Sequence, residues 1–303
     1  MSINVDELAK ASSIIKNIRT YYNAKIVGQS QLGVSLLVSM IANGHILLES
    51  VPGLAKTTAA KVMTEAVGGS FSRVQCTPDL LPSDIIGTQT FNMTNNTFET
   101  KIGPVMANFL LLDEINRSSA KTQSAMLEAM QERSVSIGGQ TFKLPPVFIV
   151  IATQNPIEQE GTYELSEAQQ DRFLLKEVIT YPNVNDEIEI LNRIEGDVFT
   201  ASQAVVTIED IEFLQDLCRK VYISPNLASY VAMGSSTRAA IAFMEVAKAV
   251  ALIQGRAYVT PDDVKAMRHE VMRHRIMLNF AAIADGVKEE TIVDAIVGAI
   301  VTP

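Results

Sequence analysis

Residues 47–61 read LLESVPGLAKTTAAK. A short apolar strand over residues 46–50 runs into a glycine-bearing loop, and residues 56–67 have the composition of a helix. The loop approaches the phosphate-binding pattern G-x-x-x-x-G-K-[ST]. Ser50 and Ala55 stand where the two framing glycines belong, while Gly53, Lys56 and Thr57 are in place. Backbone N–H groups at a helix start favour an anion. Lys56 reaches outer phosphates as a point charge, Thr57 offers a hydroxyl to Mg²⁺, and Gly53 permits a positive φ. Ala55 is acceptable only at negative φ, so the sequence predicts that the chain is already in helical space there. Ser50 needs only an unstrained strand end. By itself the loop reads equally as a nucleotide cradle and as a structural turn.

A second stretch shifts that balance. Residues 109–116, FLLLDEIN, form an uninterrupted apolar run that ends in Asp113 and Glu114. Residues 148–152, FIVIA, and residues 174–179 are further apolar runs, and residues 71–76 alternate like a strand. Apolar strands spaced by helical patterns predict a parallel sheet covered on both faces. In such sheets ligands bind beyond the carboxyl ends of the strands. There Asp113 can hold Mg²⁺ and Glu114 can polarise a water. Acids are also common at solvated strand ends, but a loop–Lys–Thr helix followed by a strand ending in two acids is a joint pattern.

The bulk composition fits a soluble globular chain of two domains. The 303 residues include 47% hydrophobic and 19% charged, with a formal charge of −9. An acidic chain is a poor non-specific nucleic-acid binder. Cys76 and Cys218 lie far apart without metal spacing and suit a reducing compartment. The N-terminus lacks a signal pattern, and no apolar run approaches the ~20 residues of a membrane helix. The expectation is a cytoplasmic protein.

Two segments break the α/β rhythm. Residues 87–102 place an Asn-Asn turn between alternating arms, and residues 134–144 place Gly138-Gly139 between SVSI and QTFKL. Both read as β-hairpins. After residue 183 the periodicity is almost wholly helical, with brief strand-like exceptions at 205–207 and 259–260. Residues 1–183 are expected to be an α/β domain and residues 184–303 a helical one.

Three further motifs carry polar groups to the same region. FIVIATQNP ends in Thr153, Gln154 and Asn155, an amide able to orient a water or contact a terminal phosphate; the alternative is a turn asparagine before Pro156. ELSEAQQDRF places Arg172 before an apolar strand, either as a surface ion-pair residue or as an arginine finger offered to a neighbouring subunit. GSSTRAAI places Arg238 at a helix N-terminus, where a cation is unfavourable and wants an external partner. A nucleotide phosphate or an acid such as Glu245 would serve. The basic stretch 265–276, KAMRHEVMRHRI, is a solvated helix face or a docking face. His269 and His274 are five apart, off metal-binding spacing.

In this order the motifs resemble the AAA+ ATPases, and in detail their MoxR family. The resembling stretches are IVGQ (26–29), VPGLAKT (51–57), LLLDEINR (110–117), ATQNP (152–156), EAQQDRF (167–173) and STRA up to Ala239. The resemblance covers nearly the whole chain. It implies an α/β AAA+ P-loop NTPase core with two hairpin insertions, followed by a small all-α lid. Alanine before the lysine is familiar in that family. The resemblance places Val27 and Gly28 near the adenine. Pro52, Gly53, Leu54, Ala55, Lys56, Thr57 and Thr58 wrap the phosphates, and Thr57 and Asp113 hold Mg²⁺. Glu114 becomes the catalytic base, Asn155 the first sensor, Arg172 the finger in trans and Arg238 the second sensor. Arg117 is assigned, less securely, to a subunit interface. Two departures stand out: Thr237 where the family often has proline, and Ser50 where it has Gly or Asp.

The function so implied is an ATPase with ATP and Mg²⁺ as cofactors, forming a homo-oligomeric, hexameric ring that remodels, matures or activates protein clients. A von Willebrand factor A domain partner would be a separate chain, since no such domain follows Pro303. Alternatives are a nucleic-acid motor, for which the hairpins carry few cations, and an ATP-dependent switch with negligible turnover, against which Glu114 and Arg172 stand. A small-molecule kinase gives no reason for the helical domain.

Overall fold

The computed structural model describes residues 3–51, 53–156, 162–195, 203–232 and 236–300. In chain order the strands are β1 (Ile46–Glu49), β2 (Phe71–Gln75), β3 (Gly87–Asn92), β4 (Thr97–Ile102), β5 (Phe109–Asp113), β6 (Ser134–Ile137), β7 (Gln140–Lys143), β8 (Ile149–Gln154) and β9 (Leu175–Val178). Five of them form one parallel sheet in the order β2–β5–β8–β1–β9. β5 and most of β8 are buried along their length, as expected of central strands covered on both faces.

Strand parity divides the interior in two. Leu48, Leu111, Ile149 and Ile151 face the helices α1 (Val5–Lys25), α2 (Ser30–Ile41) and α3 (Lys56–Ala66), which share one apolar cluster with them. Leu47, Leu110, Leu112, Val150 and Ala152 face the other way. They pack with residues of α4 (Pro82–Ile86), α5 (Ala120–Glu132) and β6. Asp113 and Thr153 have the parity of Leu111 and Ile151, so they project on the side of α3.

Both expected hairpins form. In β3–β4, Asn92 Oδ1 accepts the N–H groups of Thr94 and Asn95 and tightens the turn. In β6–β7, Gly138 and Gly139 take φ of 58° and 80°, the turn a two-residue loop requires. The hairpins also touch each other: a Cβ on Gly138 would lie 2.0 Å from the Gln89 side chain.

Beyond the short α6 (Glu167–Gln170) and β9 the described chain is helical: α7 (Val184–Glu195), α8 (Ile208–Lys220), α9 (Pro225–Ala232), α10 (Thr237–Ile253), α11 (Pro261–Ala266), α12 (Arg268–Met272), α13 (Phe280–Ala284) and α14 (Glu289–Ala299). The strand-like exceptions are weaker than the sequence suggested. Val205 and Val206 donate to the carbonyl of Ala66 at the end of α3 and form no strand. Near residues 259–260 there is only an isolated bridge between Tyr222 and Tyr258.

The basic stretch 265–276 is neither a solvated nor a free docking face. Arg268 and His269 both meet Asp294, Arg273 meets Glu290, and Arg275 meets Asp171. His274 is buried against the carbonyl of Phe173. The cations spend their charge stitching α12 to α14 and to the start of β9. Among the described residues no helix is long and apolar enough to cross a membrane.

Candidate functional site

The loop after β1 is built as a cradle. Ser50 is buried, and its N–H continues the ladder onto Gln154 O at 3.1 Å. Gly53 has φ 86°, and nothing lies within 4 Å of the Cβ it lacks, so the space over the loop is open. Pro52 lies outside the described residues. Leu54 is anchored in the core, whereas Thr58 is exposed. Lys56 Nζ donates to Ser50 O at 3.4 Å, folding back over the loop. Lys56 and Thr57 open α3, which has no side-chain cap at its N-terminus. Its first-turn N–H groups therefore face the loop, where an anion is favoured.

Ala55 departs from the expectation. Its φ and ψ are 53° and 23°, left-handed rather than helical. The alanine thus keeps the backbone shape a glycine would supply, at a steric cost of about 1 kcal/mol.

The acid pair lies across β8 from this loop. Asp113 is buried, and both of its carboxylate oxygens accept hydrogen bonds: Thr153 donates to Oδ1 at 2.7 Å, and Arg73 donates to Oδ2 from Nη2 at 2.6 Å and from Nε at 3.2 Å. Glu114 takes a left-handed φ of 58°, and its N–H donates to Thr153 Oγ1 at 2.8 Å. Its Oε2 accepts Gln75 Nε2 at 2.9 Å and Arg117 Nη1 at 3.2 Å. Arg117 therefore sits on the acid pair within its own chain. Asn155 is buried immediately beyond β8.

Sequence reasoning assigned nothing to Arg73 and Gln75, and gave Thr153 no role of its own. The signal was present in FSRVQ, whose period of two puts Arg73 and Gln75 on one face. What was missing was the strand order that sets β2 beside β5, with Gln75 opposite Asp113. Cys76, the next residue, donates its N–H to Asp113 O. Burial, with the charge of Asp113 adding to it, pushes the Cys76 thiol up to about 12.

The donor set suits a magnesium nucleotide. A Thr hydroxyl and a carboxylate are hard oxygen ligands, and they accompany a helix N-terminus that has no side-chain cap. Mg²⁺ at nucleotide phosphates needs only one or two protein ligands, so a larger acidic cluster is not required.

Two sequence-selected arginines lie elsewhere. Arg172 and Arg238 line one cavity of ≈ 470 Å³ with Arg133, Arg275, Asp171 and Glu245, and no described phosphate-loop residue lines it. Arg238 Nη1 meets Asp171 Oδ2 at 3.4 Å, not the Glu245 carboxylate suggested by the sequence. Burial raises Glu245 above the usual carboxylate range, which makes it a weaker partner for a cation. Arg172 Nη1 donates to Leu127 O at 3.1 Å. Arg133 and Arg275 are tied to backbone carbonyls, so Arg172 and Arg238 are the exposed guanidinium groups at this mouth. His45, also in the wall, is held down to about 3, chiefly by burial and then by Arg133.

Val27 and Gly28 occupy a third position, in the turn between α1 and α2. Gly28 has φ 72°, and Asp186 of α7 lies 3.0 Å from where its Cβ would stand. Gln29 Nε2 donates to Thr180 O, and Arg193 of α7 donates to Asn23 O and Ala24 O. The turn is thus clasped by the segment that leads from the sheet to the helical part.

Comparison with known proteins identifies the family. Residues 45–175 match the model of the ATPase family associated with various cellular activities (AAA), and residues 226–296 match an AAA lid domain. The chain is 43% identical to Chaperone MoxR1 of Mycobacterium tuberculosis, over 92% of this chain and 79% of that protein. It is 28% identical to Protein MoxR of Methylorubrum extorquens, over 84% of each. A solved structure described as a putative ATPase from Cytophaga hutchinsonii superposes with a TM-score of 0.91 at 40% identity, covering 98% of this chain and 97% of that one.

Proposed function

Because the chain belongs to the MoxR family of AAA+ ATPases, we propose that it hydrolyses ATP at sites shared between neighbouring subunits of a ring and uses the cycle to remodel or activate partner proteins. The observation that carries this reading is the separation of two half-sites. The phosphate loop, Asp113 and Glu114 lie at the carboxyl edge of the sheet, while Arg172 and Arg238 line another cavity. A molecule so built offers a nucleotide bed on one surface and a pair of guanidinium groups on another. Each completes a site only with a second copy.

In the shared site Lys56 and the N–H groups of α3 would bind the phosphates, and Thr57 and Asp113 would hold Mg²⁺, which would supply charge neutralisation to the transferred phosphoryl group. Thr153 fixes Asp113 and the backbone of Glu114 together, and Glu114, once released from Gln75 and Arg117, would polarise the attacking water while Asn155 lies at the adjoining strand tip. Arg172 and Arg238 of one subunit supply positive charge to the phosphates bound by its neighbour. Units 1–183 and 184–303 would move against each other about the segment near residue 183, where α7 clasps the Val27–Gly28 turn.

The exposed end of β3–β4 supports a protein client. Phe91, Met93 and Phe98 are exposed there, and Phe91 packs edge-on against Phe98 with ring centroids 5.2 Å apart. Apolar side chains of this kind grip unfolded or flexible polypeptide; phosphate tracking needs cations. A separate von Willebrand factor A domain protein is one such partner, and a hexamer is the ring we expect.

The test is steady-state ATP hydrolysis across protein concentration, with Glu114→Gln and Arg172→Ala beside the wild type. Specific activity should rise with concentration. Arg172→Ala should lose roughly 10³-fold in turnover, and both variants should still bind ATP. Activity independent of concentration, with Arg172→Ala unimpaired, would remove the shared-site reading. Binding without turnover in the wild type would favour the switch.

A further inference from the structure

We infer that Arg73 is a positioning residue that occupies Oδ2 of Asp113 in the resting protein and competes with magnesium for that carboxylate when a magnesium nucleotide enters. The inference rests on the ATPase reading and adds to it a gate on the metal.

The geometry is specific. Arg73 and Gln75 point to the same face of β2, and Gln75 lies opposite Asp113 in the parallel register. The side chain of Arg73 reaches two positions forward and sets both Nη2 and Nε on Asp113 Oδ2. Thr153 takes Oδ1. Three of the roughly four acceptor positions of a carboxylate are then filled. A hydrated Mg²⁺ that engages Oδ2 must remove at least one Arg73 N–H.

The two side chains differ in what they lose by parting. The Asp113 side chain is 12% exposed and that of Arg73 is 47% exposed. Once displaced, the guanidinium can be rehydrated at the surface, whereas the carboxylate needs a replacement cation. The pair is therefore strong enough to hold Asp113 without a metal and open enough to be released by one.

The same arginine reaches the second acid through an amide. Arg73 Nη2 donates to Gln75 Oε1 at 3.0 Å, and Gln75 Nε2 donates to Glu114 Oε2 at 2.9 Å. Arg73 thereby fixes which end of the Gln75 amide faces Glu114. Its departure from Asp113 would loosen one of the two side-chain bonds on Glu114 Oε2, the other being that from Arg117.

The experiment measures binding rather than turnover. A fluorescent, non-hydrolysable ATP analogue is titrated in EDTA, and Mg²⁺ is then titrated into the complex, for wild type, Arg73→Gln and Arg73→Lys. Thermal melting confirms that each variant is folded. Loss of the competing cation in Arg73→Gln should lower the half-saturating Mg²⁺ about fivefold, leave affinity in EDTA unchanged, and be rescued to within about twofold of wild type by Arg73→Lys. An unchanged or raised Mg²⁺ requirement overturns the gate. So does a loss of affinity in EDTA, which would make Arg73 a phosphate contact, or an Arg73→Lys variant that behaves as Arg73→Gln. If the wild type binds no nucleotide at all, the ATPase reading fails and the gate falls with it, whereas the three results above sink the gate alone.

Discussion

The hydroxyl of Thr153 lies 2.7 Å from Oδ1 of Asp113 and accepts the N–H of Glu114 at 2.8 Å, so one β8 side chain sets both acids at the end of β5. Removing that hydroxyl while keeping the volume should loosen both. Thr153→Val is expected to lower turnover roughly tenfold, in the range found when the partner of a metal-holding group is removed. Thr153→Ser should restore most of it. The check is kcat alongside nucleotide affinity, since Lys56 and the helix N–H groups are untouched and binding should persist.

Ala55 gives a stability prediction with a definite sign. A left-handed alanine is strained by about 1 kcal/mol, and glycine recovers this less the entropy it adds to the unfolded chain. Ala55→Gly should therefore stabilise the protein by about 0.5 kcal/mol and keep nucleotide binding. Ala55→Val, a β-branched residue in the same conformation, should destabilise it and weaken binding. Urea unfolding with each variant reads the sign; a destabilised Ala55→Gly would show that the loop is not left-handed at this position.

Arg275 ties the helical part to the segment that leads into β9. Its side chain is 5% exposed, with Nε on Asp171 Oδ1 at 2.8 Å and Nη2 on Phe173 O at 2.8 Å. Arg275→Ala takes one donor each from the carbonyls of Phe173 and Leu174 and leaves Asp171 with only the looser Arg238 contact. A loss of about 3 kcal/mol in urea unfolding is expected. Arg275→Lys should recover little of it, because an ammonium cannot span the same forked set of acceptors.

The elements legible in the sequence were those written in local pattern. FLLLD, FIVIA and the Gly138-Gly139 turn carry their structure in a few neighbouring residues, and the joint order of loop, acids and arginines marked the family. What stayed hidden depends on who lies beside whom. Arg73 and Asp113 are 40 residues apart and Arg238 and Asp171 are 67 apart. No periodicity reports either pairing until the sheet order and the lid position are known. The stretch 265–276 looked like spare positive charge because Asp171, Glu290 and Asp294 are brought to it only by folding. Ala55 was misjudged because residue preference was weighed above the loop geometry that the site imposes.

Glu177 makes stability depend on pH near neutrality. It lies on β9, buried against α2 and α12, with Ser35 Oγ donating to Oε2 at 2.5 Å. Burial raises its pKa from 4.5 to about 7; Ser35 opposes the rise, Glu270 adds to it and Arg273 opposes it. Gln31 of α2 engages Glu270, and Arg273 is shared with Glu290 and the carbonyl of Lys176, so neither neutralises Glu177 outright. With a folded pKa above the unfolded one, the folded state holds the extra proton. The associated stability is fully present below about pH 4.5 and is lost as pH rises through about 7. The loss is of order 3 kcal/mol for a shift of this size. Between pH 5.5 and pH 8 this group alone should lower the melting temperature. Glu177→Gln, uncharged at either pH, should remove that part of the slope and melt above wild type at pH 8. A slope unchanged in Glu177→Gln would show that the carboxyl does not hold its proton in the folded protein.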